Sequence, residues 1–398
     1  MSGRAARERW AVAAVFAVHG TVLGTFASRL PWIADHLRLG AGQLGLALSM
    51  ISVGVLLATP LAGRFVQRFG GRTSTMVTLA AWCTALALPA LAPNVVAFAA
   101  LLLVFGMTSG TADMAMNAQG IEVEKRLGKS IMSGLHGSWS VGVLMAAFAG
   151  SWFARARVDA RVHFAVVAAA LLVAGLIAAA RFSGPPAAVD EPEQAPAPWF
   201  AVPKGRVLLI GLVGFCAVFP EVAANDWSAI FMRRVLAADE AAAALATSVF
   251  ALAMTGGRLG GDLAVRRFGA GRTVRICGLV GATGALLVVV AHTQLLAMAG
   301  FMLIGAGVSV VVPLAFAAAG HAAASPAVGV AGVATVSYGA GLAAPSVIGA
   351  VAATTSLRVS FVVVAVLAGL VAAAADLLDR RPERSEAEPT EAGSGPLR

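Results

Sequence analysis

The sequence predicts an all-α membrane protein with twelve transmembrane helices in two pseudo-symmetric halves of six helices each. Of its 398 residues, 59% are hydrophobic and only 12% are charged. A water-soluble fold of this length needs more charged surface, so the bilayer must be the solvent for most of the chain. The apolar stretches reach about 20 residues, which is the length of a spanning helix and about twice that of a membrane barrel strand.

Charged residues mark the ends of the spans. No Asp, Glu, Lys or Arg occurs in 73–112 or in 276–357, which leaves room for two and three crossings at about 20 residues each. Pro, Asn and Gly interrupt helical hydrogen bonding, so residues 91–94 divide the first stretch, and 292–294 and 320–326 divide the second. The predicted spans lie near 10–30, 43–63, 73–92, 95–121, 131–153, 162–182, 206–230, 242–264, 273–291, 294–319, 330–353 and 357–378.

A proline-rich, acidic segment separates the two halves. Residues 183–205 contain six prolines together with Asp190, Glu191 and Glu193, a composition typical of a flexible linker. The sequence therefore predicts an N-terminal six-helix half over 1–182, a cytoplasmic linker over 183–205 and a C-terminal six-helix half over 206–379. A disordered cytoplasmic tail is predicted over 380–398.

The distribution of basic residues predicts the orientation. With the N-terminus inside, 21 of the 29 Lys and Arg residues lie in cytoplasmic segments and 8 in external ones. Because basic loop residues are retained in the cytoplasm, both termini are predicted to be cytoplasmic. The net charge of +9 arises from this bias and indicates contacts with anionic membrane lipids, not with nucleic acid.

The two halves resemble each other at a fixed spacing. A single offset that matches several features across three helices, and that equals half the chain length, is typical of an internal repeat. Parallel six-helix repeats predict a transporter whose substrate site lies between the halves. An offset of 199 residues pairs Gly70 with Gly269, Gly106 with Gly305, Ser138 with Ser337, Trp139 with Tyr338, Gly142 with Gly341 and Gly150 with Gly349.

The segment after the second span carries a longer motif. Residues 63–72 read Gly-Arg-Phe-Val-Gln-Arg-Phe-Gly-Gly-Arg and resemble the major facilitator superfamily signature G-x-L-x-D-R-x-G-R, with Gln67 at the acidic position. The resemblance implies the major facilitator fold. It also implies a gating loop that contains Gly63, Arg68, Gly70 and Arg72.

Further motifs resemble one branch of that superfamily. Asp113-Met114-Ala115-Met116-Asn117 is similar to the acid-x-x-x-Asn pattern of fucose permease-like sugar–proton symporters. The resemblance covers residues 10–378 and implies a multi-pass protein of the bacterial inner membrane. The segment 136–142, and Glu221 with the run 225–227, are similar to the same bacterial branch.

Two acid–amide pairs are candidates for proton coupling and substrate binding. Asp113 and Asn117 are four residues apart and share a helix face, as do Glu221 and Asn225. Inserting an acid into a bilayer costs about 2.5–3.5 kcal/mol, and such residues usually face protein or water and serve transport. We predict that Asp113 and Glu221 couple protons. The alternatives are a helix-to-helix hydrogen bond for Asp113 and packing or an outer gate for Glu221.

Substrate binding is predicted for a set of polar and aromatic side chains within the spans. Both acid–amide pairs should line one cavity, with His136 at the depth of Asn117. A histidine satisfied in the core is the alternative for His19 and His136, and packing or interfacial anchoring is the alternative to sugar stacking for Trp139 and Tyr338. Asp226 is expected at a helix end, and Arg29 and Arg258 are expected near the membrane faces, where they snorkel or form gate salt bridges. The predicted binding residues are His19, Asn117, His136, Trp139, Asn225 and Tyr338.

Several chemistries are missing from the sequence. It contains no phosphate-binding lysine loop, no His-Glu-x-x-His, no paired-cysteine metal site and no G-x-S-x-G turn, so neither an enzyme nor a metal or other cofactor is expected. We predict a monomeric secondary transporter that moves a small polar solute, a sugar being one candidate, by proton symport with alternating access. The alternatives are proton-driven efflux, although the fifth span lacks the Gly-Pro pair of drug–proton antiporters, and a transport-inactive sensor or scaffold.

Overall fold

The computed structural model describes residues 3–127, 131–182, 204–322 and 326–378, and within these ranges the regular elements are helical. Apart from residues 204 and 205, the predicted linker and the tail lie outside the described residues. The α-helices are α1 (Gly3–His36), α2 (Ala41–Ala85), α3 (Val95–Leu127), α4 (Met132–Arg155), α5 (Ala160–Ala179), α6 (Gly205–Val235), α7 (Glu240–Phe268), α8 (Ala270–Val290), α9 (Gln294–Val308), α10 (Val311–Ala322), α11 (Pro326–Thr354) and α12 (Leu357–Ala373).

Each of the twelve predicted spans falls on helical chain, although helices and spans do not match one to one. The helix α2 covers the second and third spans, whereas α9 and α10 together cover the tenth. Among the described residues, ten segments are long and apolar enough to cross a membrane. The fifth and twelfth spans correspond to α4 and α12, which have 24 and 17 residues. The prediction of an all-α membrane protein is confirmed.

The two halves of the described chain, residues 3–182 and 204–378, repeat the same local geometry. Gly70 bends α2 with φ 75° and ψ 160°, and Gly269 separates α7 from α8 with φ 81° and ψ 164°, a region that favours glycine. A Cβ atom on Gly106 would collide with the carbonyl oxygen of Ile51, and one on Gly305 with that of Phe250. Since Ile51 and Phe250 are also 199 residues apart, the predicted offset relates equivalent helix contacts.

Contacts between helices place a cavity at the boundary of the two chain halves. In the first half α1 packs on α4 and α2 on α3, while in the second half α6 packs on α11 and α8 on α9 and α12. Across the boundary, α2 packs on α11 and α4 packs on α7. The cavity described below is lined by residues of all four of these helices. The exact domain boundaries stay a prediction, because most of the predicted linker lies outside the described residues.

Polar contacts between the chain halves cluster at one end of the bundle, which we call the closed end. Arg29 Nη2 lies 3.5 Å from Glu240 Oε2, and Arg233 Nε donates to Asp35 Oδ2 over 3.1 Å. The predicted orientation puts this end on the external side of the membrane. Further hydrogen bonds at the closed end join Arg234 to the carbonyl of Leu39, Ser151 to the carbonyl of Ala241, and Ser49 to Ser346.

Candidate functional site

A cavity of about 210 Å³ lies between the two chain halves. Six helices line it, namely α1, α2 and α4 from the first half and α6, α7 and α11 from the second. Its apolar wall includes Leu23, Ile51 and Phe250. Polar groups therefore occupy only part of a mostly apolar surface, as is usual for small-molecule sites. The polar and indole side chains in the lining are Ser52, Trp139, Ser140, Glu221, Asn225, Asp226, Thr255 and Arg258.

An ion pair crosses the cavity from α6 to α7. Arg258 Nη2 donates to Glu221 Oε1 over 2.9 Å, and the two side chains are 27% and 25% exposed. Arg258 Nη1 also donates to Ser140 Oγ over 3.3 Å, which joins the second chain half to α4 of the first half. The two opposite charges compensate each other in this partly dehydrated cavity, which lowers the free-energy cost of keeping either side chain ionised there.

Asn225 and Asp226 follow Glu221 along α6 and also line the cavity. The amide Nδ2 of Asn225 donates to Asp226 Oδ1 over 3.0 Å. The expectation that Asp226 ends its helix is wrong, because α6 continues to Val235 and brings this carboxyl to the cavity. Two adjacent turns of α6 thus present the carboxyl groups of Glu221 and Asp226 and the amide of Asn225 to the same cavity.

His19 connects the cavity to the interior of the first half. The indole Nε1 of Trp139 donates to His19 Nδ1 over 3.0 Å, and His19 Nε2 lies 3.3 Å from the carbonyl oxygen of Ser109. Because an indole N–H can only donate, Nδ1 must accept, and the hydrogen of a neutral imidazole sits on Nε2. His19 also stacks on Trp82 with ring centroids 5.1 Å apart. Its ring is therefore fixed in one orientation behind Trp139.

The Asp113–Asn117 pair lies on α3, outside the lining of this cavity. As the spacing predicts, Asn117 Nδ2 reaches back one turn and donates to the backbone carbonyl of Asp113 over 2.8 Å and to its Oδ1 over 3.1 Å. Asp113 is within electrostatic range of both His19 and His136. His136 contacts Phe16 edge to face, with centroids 5.3 Å apart, and it too lies outside the cavity lining.

The structure therefore separates the predicted site into two parts. Trp139, Glu221 and Asn225 line the cavity, whereas Asp113, Asn117, His19 and His136 belong to the first half and are outside its lining, with His136 exposed and Asp113 and Asn117 half-buried. The expectation that both acid–amide pairs line one cavity is not met in this conformation. The contact between Trp139 and His19 links the two parts.

Comparison with known proteins assigns the family. The profile of the Major Facilitator Superfamily matches residues 12–344 and 228–398. The chain belongs to the Major Facilitator Superfamily. The "Uncharacterized transporter y4wD" of Sinorhizobium fredii is 34% identical over 374 residues, 92% of this chain and 97% of that protein. An uncharacterized MFS-type transporter of Yersinia pestis is 35% identical over 369 residues, 92% of this chain and 94% of that protein.

A solved structure shares the fold of this major facilitator protein. A mutant of the nucleoside transporter NupG superposes with a TM-score of 0.77 at 12% identity, covering 93% of this chain and 99% of that one. An identity this low shows the fold and nothing of the substrate. Together with the family assignment, it confirms the predicted major facilitator fold and a multi-pass membrane transporter that is not an enzyme.

The superfamily signature lies within α2, around the bend at Gly70. Arg68 and Arg72 are exposed there, and the Arg68 guanidinium lies 5.7 Å from the ring centroid of Phe69. Gly63 lies in the same helix, with its surroundings outside the described part of the chain. Tyr338, the repeat partner of Trp139, lies in α11, but its side chain is also outside the described part.

Sequence reasoning missed Arg258 and Ser140 as residues of the cavity. Arg258 was expected to lie near a membrane face, yet it lies in the cavity between Glu221 and Ser140. An arginine within a predicted span needs a partner, and that need could have signalled the pairing with Glu221, a membrane-embedded acid in the preceding span.

Proposed function

We propose that this transporter is a proton symporter that carries a small polar solute through the cavity by alternating access. The observation that carries the proposal is the Glu221–Arg258 pair, which lies in the cavity and also contacts Ser140 of the other chain half. One side chain thus connects a titratable acid, the cavity and the boundary between the halves. Protonation of Glu221 can therefore change the ion pair, the lining of the cavity and the contact between the two halves.

The coupling step follows from the charges. A proton that binds a Glu221 carboxylate oxygen neutralises it and removes most of its attraction for Arg258. Arg258 can then donate to the solute or hold Ser140 more strongly. Release of the proton restores the ion pair and draws Arg258 away from the solute and towards Glu221. Solute occupancy and protonation would therefore favour each other, which is the requirement for symport.

Asp113 is proposed as the second proton-coupling residue. It interacts electrostatically with His19 and His136, and His19 is joined to the cavity wall through Trp139. Arg258 also acts electrostatically on His136, so the charge of the cavity pair is felt in the first chain half. Asn117 holds the Asp113 carboxyl in place.

The cavity supports a small solute. Its volume of about 210 Å³ is below the roughly 300–1,000 Å³ typical of pockets for drug-sized ligands. Asn225, Ser140 and Arg258 offer the mixed hydrogen-bonding groups that hydroxyl-rich solutes require, and Trp139 offers an aromatic edge. We propose a neutral polyhydroxyl compound such as a sugar, consistent with the resemblance to the fucose permease-like branch.

Alternating access is supported by ion pairs between the two chain halves at the closed end, such as Arg29–Glu240. Among the residues that the structure describes, these pairs lie at that end, so we propose that the solute in the cavity exchanges with the opposite side. With both termini cytoplasmic, as the basic residues predict, this conformation would face the inside of the inner membrane. We propose a monomer, since one chain supplies both sides of the cavity.

A binding screen followed by flux measurements tests the proposal. Purified protein is screened by thermal shift against neutral monosaccharides, polyols and nucleosides, because a specific ligand stabilises the folded state. Each hit is then tested as a radiolabelled solute in proteoliposomes with an imposed pH gradient. Inward proton flow should drive accumulation of the solute, and a protonophore should abolish it. Proton-driven export would instead support efflux, and binding without flux would support a sensor or scaffold.

A further inference from the structure

A second, larger cavity lies at the closed end of the first chain half. Its volume is about 520 Å³, and it is formed by the loop after α1, the start of α3 and the first turn of α5. It is separate from the cavity that contains Glu221 and Arg258, called the transport cavity from here on, and shares no lining residue with it. The lining consists of His36, Leu37, Arg38, Leu39, Gln43, Leu91, Ala92, Pro93, Asn94, Val95 and Arg161.

The charge of this cavity is positive. Arg38 and Arg161 line it, and no Asp or Glu is among its lining residues. The acids close to it in sequence have other partners: Asp35 accepts from Arg233, and Asp159 caps α5 by accepting from the backbone N–H of Arg161. The N-terminus of α3 also lies in the lining at Asn94 and Val95 and adds partial positive charge. The cavity therefore favours an anion.

Arg161 is held in place before any ligand arrives. Its Nη2 lies 2.7 Å from His36 Nε2, its Nε donates to the carbonyl of Ala90 over 3.3 Å, and its Cζ lies 5.6 Å from the ring centroid of Trp32. Because arginine can only donate, His36 Nε2 accepts, so the imidazole positions the guanidinium. A fixed guanidinium loses little freedom when it binds an oxyanion.

Arg38 is the complementary group. It is exposed, its backbone has φ 53°, and its side chain has no hydrogen-bond or ion-pair partner within the described part of the chain. An arginine without a described side-chain partner that lines the same cavity as a fixed arginine is suited to bind one phosphate together with it. The rest of the wall contains both polar residues, such as Gln43 and Asn94, and apolar ones, among which Leu91 is 58% exposed.

We infer that this cavity binds a phosphate group, carried either by an anionic phospholipid or by a free organic phosphate. The two arginines would hold the phosphate oxygens, and the apolar side chains of the lining, such as Leu91 and Val95, would contact the organic part of the ligand. The site shares no lining residue with the cavity of Glu221 and Arg258, so its binding test does not require the transported solute to be identified.

Thermal-shift titration of purified protein in detergent tests the inference. The probes are phosphatidylglycerol, phosphatidylcholine, glycerol 3-phosphate and inorganic phosphate, at an ionic strength kept constant with sodium chloride. Arg38→Gln should weaken binding of the active probe by roughly ten-fold or more, because a charge-assisted contact is lost. Arg38 is exposed and unpaired, so this variant should fold normally.

Arg157→Gln is the matched control. Arg157 is also exposed, also has a left-handed backbone with φ 55°, and does not line the cavity. A shift with phosphatidylglycerol alone that Arg38→Gln weakens and Arg157→Gln preserves identifies a lipid. The same dependence with glycerol 3-phosphate or inorganic phosphate identifies a free anion, and both results support the site. The inference would be overturned if the two substitutions weaken binding equally, or if no probe raises the melting temperature more than sodium chloride does at the same ionic strength.

Discussion

Replacing Glu221 by glutamine should separate solute binding from proton coupling. Glutamine keeps the shape of the side chain and can still accept a hydrogen bond from Arg258, but it cannot titrate. A charge-assisted hydrogen bond such as the 2.9 Å contact contributes about 1.5–3 kcal/mol, and partial exposure favours the lower end. Since a neutral hydrogen bond retains part of this, we expect a loss of about 1 kcal/mol in folding stability.

The effect on transport should be much larger than the effect on stability. One proton entering down 100 mV supplies about 2.3 kcal/mol, which supports roughly a 50-fold accumulation of a neutral solute. With Glu221→Gln the accumulation ratio should fall to about one, while exchange of solute across the proteoliposome membrane continues. Steady-state uptake and counterflow of the solute identified by the screen measure the two quantities.

The control for this prediction is Glu122→Gln. Glu122 pairs with Arg126 over 3.4 Å on α3, and both side chains are 34% exposed, so this substitution removes an acid of an ion pair outside the transport cavity. Accumulation should be unchanged in the control. If Glu221→Gln accumulates solute as the wild type does, the coupling mechanism proposed for the Glu221–Arg258 pair is refuted.

Four further outcomes are expected. Asp113→Asn should express normally but lose pH-driven accumulation in proteoliposomes; full accumulation would remove it from coupling. Asn225→Leu should weaken solute binding by about 1–3 kcal/mol in isothermal titration, and unchanged affinity would place the solute elsewhere. Gly106→Leu should lower stability in thermal unfolding by at least about 1–3 kcal/mol, because its Cβ would meet a backbone carbonyl that cannot move easily. In a cysteine-free background, impermeant thiol reagents should label Ala237→Cys in intact cells and spare Ala195→Cys; the reverse pattern would invert the topology.

The spans were predictable because bilayer thickness sets the length of an apolar helix. The sequence did not show that helical structure extends through most of the polar signature up to the break at Gly70, because polar residues at a membrane face are compatible with both helix and loop. Gly70 and Gly269 were paired by the repeat offset, and their matching backbone angles show why both positions carry glycine.

Within the site, contacts along one helix were predictable and contacts between helices were not. The hydrogen bond from Asn117 to Asp113 follows from a spacing of four residues. Glu221 and Arg258 are 37 residues apart on neighbouring helices, and a single sequence does not state how those helices are rotated about their axes. For the same reason, the sequence predicted Asp113 in the cavity, although Asp113 is not among the residues that line it.

The loop after α1 contributes both to the positively charged cavity and to the contact between the two chain halves. Leu37, Arg38 and Leu39 line the positively charged cavity, and the carbonyl of Leu39 accepts a hydrogen bond from Arg234 of the other chain half. Ligand binding in that cavity and separation of the halves therefore both depend on the conformation of this one short loop. By thermodynamic reciprocity, a ligand that holds this loop must disfavour opening by the same factor by which opening weakens the ligand. If the titration identifies a phospholipid, the composition of the surrounding membrane would set the fraction of transporters closed at this end, with no lipid entering the cavity of Glu221 and Arg258.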